Sequence, residues 1–231
     1  MTQADVTLPS RRDYAVLWDV DGVIIDSGEQ HRQAWQELAR ENALSYSDER
    51  FWASFGRRNA DVIPYLFGIT PEAEDLASLA NRKEEIYREL LSQEAIGLPG
   101  ARELLAALHT AGYHQALGSS APRKNIELVV RLLGIASYLD GAVSGEDVAR
   151  GKPAPDIYLA AARQAGVAPA HCLVIEDAVA GIEAAHAAGM PAIAVRRAGL
   201  PDPPGLQQAD FIATSLSQVD VARVDHLLRL S

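Results

Sequence analysis

Residues 14–26 read YAVLWDVDGVIID, and the fold turns on this stretch. Tyr14–Trp18 is a short continuous apolar run, the pattern of a strand buried on both faces. Asp19 and Asp21 follow at once, one residue apart, with Gly22 behind them. Two carboxylates at the end of a buried strand cost free energy to place there unless a cation or several donors meet them. Open α/β sheets bind their ligands at that strand edge.

Outward from this stretch, residue 98 onward alternates short apolar runs with helical patterns. Ala101 to Ala111 sets Leu104, Leu105 and Leu108 on one face and ends at Gly112. Tyr113 to Gly118 reads as a strand. Arg123 to Leu133 carries Ile126, Val129, Val130 and Leu133 at helical spacing, with Gly134 as its stop. A strand near 141–143, a helix near 156–164, a strand at 172–175, a small-residue helix near 179–188 and strands at 192–195 and 211–213 complete the pattern. Such alternation implies right-handed crossovers and a mostly parallel sheet covered on both faces. The expected fold is α/β: a Rossmann-like three-layer core, residues 1–26 and 96–231, with residues 27–95 as an inserted α-helical cap. In that insertion Trp35 and Leu38 mark a helix near 29–42. A longer helix is expected to start at Thr70-Pro71, with Thr70 as cap and Glu72, Glu74 and Asp75 at its positive end. Placed directly after the first strand, the cap would stand over that strand's carboxyl end. PDPPG at 201–205 reads as a turn or loop.

The chain has 231 residues, 48% hydrophobic and 23% charged, with a formal net charge of −10. That charge argues against nucleic acid or an anionic membrane as partner. It leaves room for a small phosphate ester, because a local cation can dominate a site. Cys172 is the single cysteine, so no intrachain disulfide forms, and its setting in HCLVIED is that of a buried structural thiol. There is no apolar stretch long enough to span a bilayer and no apolar signal core in MTQADVTLPSRRD. The expected location is cytoplasmic and the default state a monomer.

Four groups fall at predicted strand ends: Asp19 and Asp21, Ser119 with Ser120, Lys152 in RGKPAPDIY, and Glu176-Asp177 after CLVI. A parallel sheet gathers these ends on one edge. The further oxygen ligands and closing Glu of a calcium loop are absent around Asp19. Converging carboxylates call for a hard cation with positions left for water and a phosphate oxygen, which describes Mg²⁺. Asp19 would then attack phosphorus, forming an aspartyl phosphate. Lys152, Ser119 and backbone N–H groups would stabilise the transferring charge. Asp21 would protonate the leaving oxygen and later deprotonate the incoming nucleophile.

WDVDGVIID, LGSS, GKPAPDIY and VIEDAVAGIEAA together resemble the four motifs of the haloacid-dehalogenase-like (HAD) superfamily, in its β-phosphoglucomutase-like branch, over about Tyr14–Thr214. The resemblance implies a catalytic role for Asp19, Asp21, Ser119 and Lys152, with Asp19, Asp21, Glu176 and Asp177 at the metal. Asp21 favours phosphoryl transfer over carbon–halogen cleavage. A Schiff-base role for Lys83 is disfavoured, because NRKEEIYREL reads as a solvated charged face. DSGEQHRQAW resembles the mutase segment whose histidine bonds the acid/base aspartate, which is His31 here. In FGRRNADVIPYLFG the distal-phosphate arginine of the mutases would align with Asn59, beside Arg57 and Arg58. His31, Arg58, Asn59 and Ser120 are therefore the expected substrate-binding residues. The expected function is a Mg²⁺-dependent phosphatase of a small phosphorylated metabolite, a sugar phosphate being one candidate. A β-phosphoglucomutase-like mutase and a non-enzymatic phosphometabolite-binding regulator are the alternatives.

Overall fold

The computed structural model describes residues 10–196 and 202–229. Residues 1–9, within the N-terminal stretch read as lacking an apolar signal core, and Pro201 of the expected loop lie outside them.

Six strands form one all-parallel sheet: β1 (Ala15–Trp18), β2 (His114–Gly118), β3 (Gly141–Val143), β4 (Cys172–Glu176), β5 (Ala192–Val195) and β6 (Phe211–Ala213). Their order is β3-β2-β1-β4-β5-β6. The order reverses at β1, which places the crevice of an open sheet beside the residues that follow it. Side chains alternate across the sheet, and the two faces pack into separate cores. Val16, Trp18, Leu117, Ile175 and Ile193 face one side, against α5 (Ala101–Ala111), α6 (Arg123–Leu133) and α9 (Val221–Leu227). Ala15, Leu17, Ala116, Val174 and Ala192 face the other, against α7 (Asp156–Ala165) and α8 (Val179–Ala187). The small residues on this second side let α7 approach β2 closely: a Cβ on Gly118 would lie 3.1 Å from the Tyr158 ring.

Between β1 and α5 the chain makes α1 (Gly28–Glu41), α2 (Asp48–Ser54), α3 (Asn59–Phe67) and α4 (Ala73–Gln93). Two connections tie this helical segment to the sheet. The Asp26 amide donates to the Ile96 carbonyl and the Leu98 amide to the Ile24 carbonyl, so the outgoing and returning strands cross side by side. The helix expected from Thr70 starts later. Its first intrahelical bond runs from the Leu76 amide to the Glu72 carbonyl, and no side chain caps it. Glu74 and Asp75 still stand in its first turn, where the dipole favours them. No helix among the described residues is long and apolar enough to cross a membrane.

Candidate active site

Parallel register brings the strand ends to one edge. Asp19 follows β1, and its amide donates to the Ile175 carbonyl of β4 at 2.9 Å. Ser119 follows β2, its amide bonded to Val143 of β3 at 3.1 Å. Glu176 closes β4, with Asp177 beyond it. Gly22 then turns the chain at φ +79°, a left-handed conformation that suits glycine. Its bare Cα also makes room, since a Cβ there would sit 2.0 Å from Asp177 Oδ2.

The Lys152 ammonium bridges two carboxylates, donating to Asp19 Oδ1 at 2.7 Å and Glu176 Oε1 at 2.6 Å. All three side chains are buried. Glu176 has four donors: Lys152 and the Tyr158 hydroxyl on Oε1, and the Asp177 and Ala178 amides on Oε2. Its acceptor capacity is full, so a cation reaching it must displace one of them. Burial pushes the Asp19 carboxyl well above its ordinary range; Lys152 pulls it down, while Glu176, Asp177 and Asp21 push it up further. Ligand oxygens of Asp19, Glu176 and Asp177 lie within 4.8 Å of one another. A buried group of acids under this mutual repulsion fits a divalent cation, which would relieve it.

Asp21 is held through one oxygen. Oδ1 accepts from the Ser27 hydroxyl at 2.6 Å, the Tyr87 hydroxyl at 3.1 Å and His31 Nε2 at 3.1 Å. Burial alone would raise the Asp21 carboxyl; His31, Ser27 and Lys83 outweigh it and hold the group well below the usual carboxylate range.

Lys83 overturns an expectation. It is 2% exposed, not on a solvated face. Its ammonium lies 2.7 Å from His31 Nδ1 and 2.9 Å from Glu84 Oε1, and it sits over the Trp35 and Tyr87 rings. The signal was helical spacing: Lys83, Tyr87 and Leu91 recur every fourth residue along the buried stripe of α4. The acidic and basic neighbours obscured it. Glu84, Tyr87, Ser27, Tyr158 and Asn125 are further residues around the site that sequence reasoning did not single out.

The remaining expected residues divide. His31, Asn59, Ser119 and Ser120 line one cavity with Asp19 and Asp21. The Ser120 hydroxyl is buried with no partner among the described residues. Arg58 lies outside that cavity, donating to the Ala149 carbonyl at 3.3 Å and lining a separate groove with Arg150 and Gly151. Arg57 borders both. Cys172 is buried, with its thiol pushed up to about 12 by burial and directed at the Ala168 carbonyl. That is the inert thiol expected of it.

A parallel sheet with paired acids after its first strand, further acids at a neighbouring strand end and a buried lysine from the turn before α7 defines an enzyme of the phosphatase or phosphomutase type. The chain belongs to the haloacid dehalogenase-like hydrolase family, which it matches over residues 15–189. It is 33% identical over 181 residues to fructose-1-phosphate phosphatase YqaB of Escherichia coli, covering 78% of this chain and 95% of that protein. It is 34% identical over 190 residues to the β-phosphoglucomutase of Bacillus subtilis, covering 78% and 82%. The crystal structure of a β-phosphoglucomutase from Clostridium difficile superposes with a TM-score of 0.83 at 25% identity, covering 94% of this chain and 97% of that one. The regulator alternative gives way to an enzyme.

Proposed function

We propose that the protein is a Mg²⁺-dependent phosphatase that hydrolyses a small phosphorylated metabolite of the sugar-phosphate class through an aspartyl phosphate. The observation that carries the reading is the Asp19–Lys152 pair, buried beside Asp177, with Asp21 two residues along the chain. Asp19 and Asp177, with the backbone carbonyl of Asp21, would hold Mg²⁺, and Glu176 would orient Lys152 behind them. When bound, the ion supplies charge neutralisation for the phosphoryl oxygens and lets a carboxylate approach a dianionic ester. Residues 27–95 act as the cap and 1–26 with 96–231 as the catalytic core.

Asp19 attacks phosphorus while Lys152, Ser119 and Ser120 offer donors to the phosphoryl oxygens. The ester P–O bond breaks, and Asp21 as the carboxylic acid protonates the departing oxygen. Asp21 as carboxylate then takes a proton from water. That water's oxygen attacks phosphorus, releasing inorganic phosphate and restoring Asp19. Asp21 is parked as an anion on Ser27, His31 and Tyr87, so it must leave these partners before it can carry a proton.

Hydrolysis is favoured over the mutase reaction by the two residues expected to grip a distal phosphate. Arg58 is committed to Ala149 outside the cavity, and the Asn59 amide is committed to Glu84 at 2.8 Å. Neither presents a guanidinium fork to a second phosphate, which leaves Arg57, at the border of the cavity, as the guanidinium that a mutase would have to use. Asp19→Asn should abolish phosphate release from a panel of hexose and pentitol monophosphates, since an amide is neither nucleophile nor hard ligand; retained turnover rejects the mechanism. Fast conversion of β-glucose 1-phosphate to glucose 6-phosphate without free phosphate would reverse the choice between the two reactions.

A further inference from the structure

Glu84 is a carboxylate that this chemistry does not use, yet it lines the same cavity as Asp19, Asp21 and Ser120. It is 5% exposed. Its Oε1 accepts from Asn59 at 2.8 Å and from Lys83 at 2.9 Å, and its Oε2 accepts from the Asn125 amide of α6. Arg88 donates to the Asn125 carbonyl oxygen at 2.9 Å, which turns that amide's NH₂ towards Glu84. Burial alone would raise the Glu84 carboxyl; Lys83, His31 and Asn59 outweigh it and hold it below its ordinary value. A carboxylate accepts about four hydrogen bonds. Three are taken, and one position on Oε2 is left for a donor. Lys83 adds little for an incoming anion, because its ammonium is already shared between Glu84 and His31.

We propose that Glu84 sets the specificity of the leaving-group half of the pocket, accepting a hydrogen bond from a hydroxyl of a neutral polyhydroxylated monophosphate and repelling a second anionic group. A hydroxyl supplies the one donor the carboxylate lacks. A second phosphate supplies none and brings like charge into a buried, weakly screened site. Specificity built by charge against a competitor needs no tighter fit to the preferred substrate. The three donors come from both sides of the structure, Asn59 and Lys83 from the helical segment and Asn125 from the core. The selection is therefore made with the two in contact.

This inference rests on the phosphatase reading, and two measurements separate them. Phosphate release is followed for glucose 1-phosphate against glucose 1,6-bisphosphate and for fructose 1-phosphate against fructose 1,6-bisphosphate. The wild type should favour each monophosphate in kcat/KM by about tenfold or more, with the gap narrowing as salt rises. Glu84→Gln, which keeps the shape and removes the charge, should bring the ratio close to one. Affinity for the same pairs is also measured by calorimetry on Asp19→Asn, where turnover plays no part. Tighter binding of the monophosphates there supports the role of Glu84 even if the wild type hydrolyses none of them, which would refute only the phosphatase reading. Equal or tighter binding of the bisphosphates, or no binding of either, overturns the role of Glu84. The wild-type and Asp19→Asn ratios carry the test if Glu84→Gln fails to fold.

Discussion

Lys83, His31 and Asp21 form a chain whose proton positions follow from elementary chemistry. An ammonium can only donate, so His31 Nδ1 must accept from Lys83. The imidazole is then the tautomer with its proton on Nε2, which donates to Asp21 Oδ1. Tyr87 stacks on the His31 ring with centroids 3.9 Å apart and fixes its plane. Lys83 thus selects the tautomer, and His31, with Ser27 and Tyr87, holds the Asp21 carboxylate in place. His31→Ala and Lys83→Met should each lower kcat, by at most the 10²–10⁴-fold that acid–base catalysis typically supplies. Mg²⁺ affinity should stay near wild type, because neither residue touches Asp19 or Asp177. Wild-type kcat in Lys83→Met would show that the tautomer is set elsewhere. The Asp19, Asp21, Ser119 and Asp177 positions could be read directly, because each follows a strand end where an apolar run breaks into polar residues; Lys152 was expected at a strand end too, but it reaches the site from the turn before α7, well beyond β3. Lys83 and Glu84 could not, because in a run such as NRKEEIYREL burial depends on which helix packs alongside.

Elements position the site through close backbone approach. The N-terminal turn of α8 packs on the Glu176 side chain, and a Cβ on Gly181 would lie 1.7 Å from Glu176 Oε1. That oxygen carries both Lys152 and Tyr158. Gly181→Ala must displace Glu176, and Lys152 with it, so it should destabilise the fold by about 1–3 kcal/mol, the usual cost of overpacking. It should also lower activity more than that loss of folded protein explains; a urea midpoint and a specific activity on the folded fraction check the two together. The β/α alternation of the core was legible because period and punctuation agree: apolar strands, then helices stopped by Gly112 and Gly134. The helical segment was legible only as helical. α3 carries Pro64 in its interior and α2 spans only Asp48–Ser54, so neither shows a sustained 3.6-residue stripe. Thr70 was misread as a cap because capping needs the side chain at the helix mouth, and the helix opens two residues beyond it.

Across the whole molecule, the carboxylates are held in two opposite senses, and the pH dependence of stability should separate them. Glu84 lies below its ordinary 4.5, and Asp147, bonded by Arg123 and Ser144, is brought down from 3.8 to about 2. Groups lowered by folding contribute stability that is complete above their unfolded values and is lost as pH falls through the folded ones. The urea midpoint should therefore hold down to about pH 4.5 and decline from there towards pH 2, with a shallower decline in Glu84→Gln. Asp19 runs the other way, because burial and neighbouring acids raise it. Its protonated form is favoured in the fold at low pH, and that contribution disappears as pH rises through the raised value. A divalent cation at Asp19 would compete with that proton and relieve the repulsion among the neighbouring acids. Excess Mg²⁺ should stabilise the fold at pH 7 by about 2.7 kcal/mol at a concentration 100 times its dissociation constant, read as a higher urea midpoint. Asp19 takes up its proton at a higher pH than Glu84 or Asp147. Titrating downward, the Mg²⁺ stabilisation should fade first, while the midpoint of the metal-free protein holds or rises as Asp19 takes up its proton. Loss of the metal-free midpoint before the Mg²⁺ effect would mean that Asp19 is not the group at which proton and cation compete.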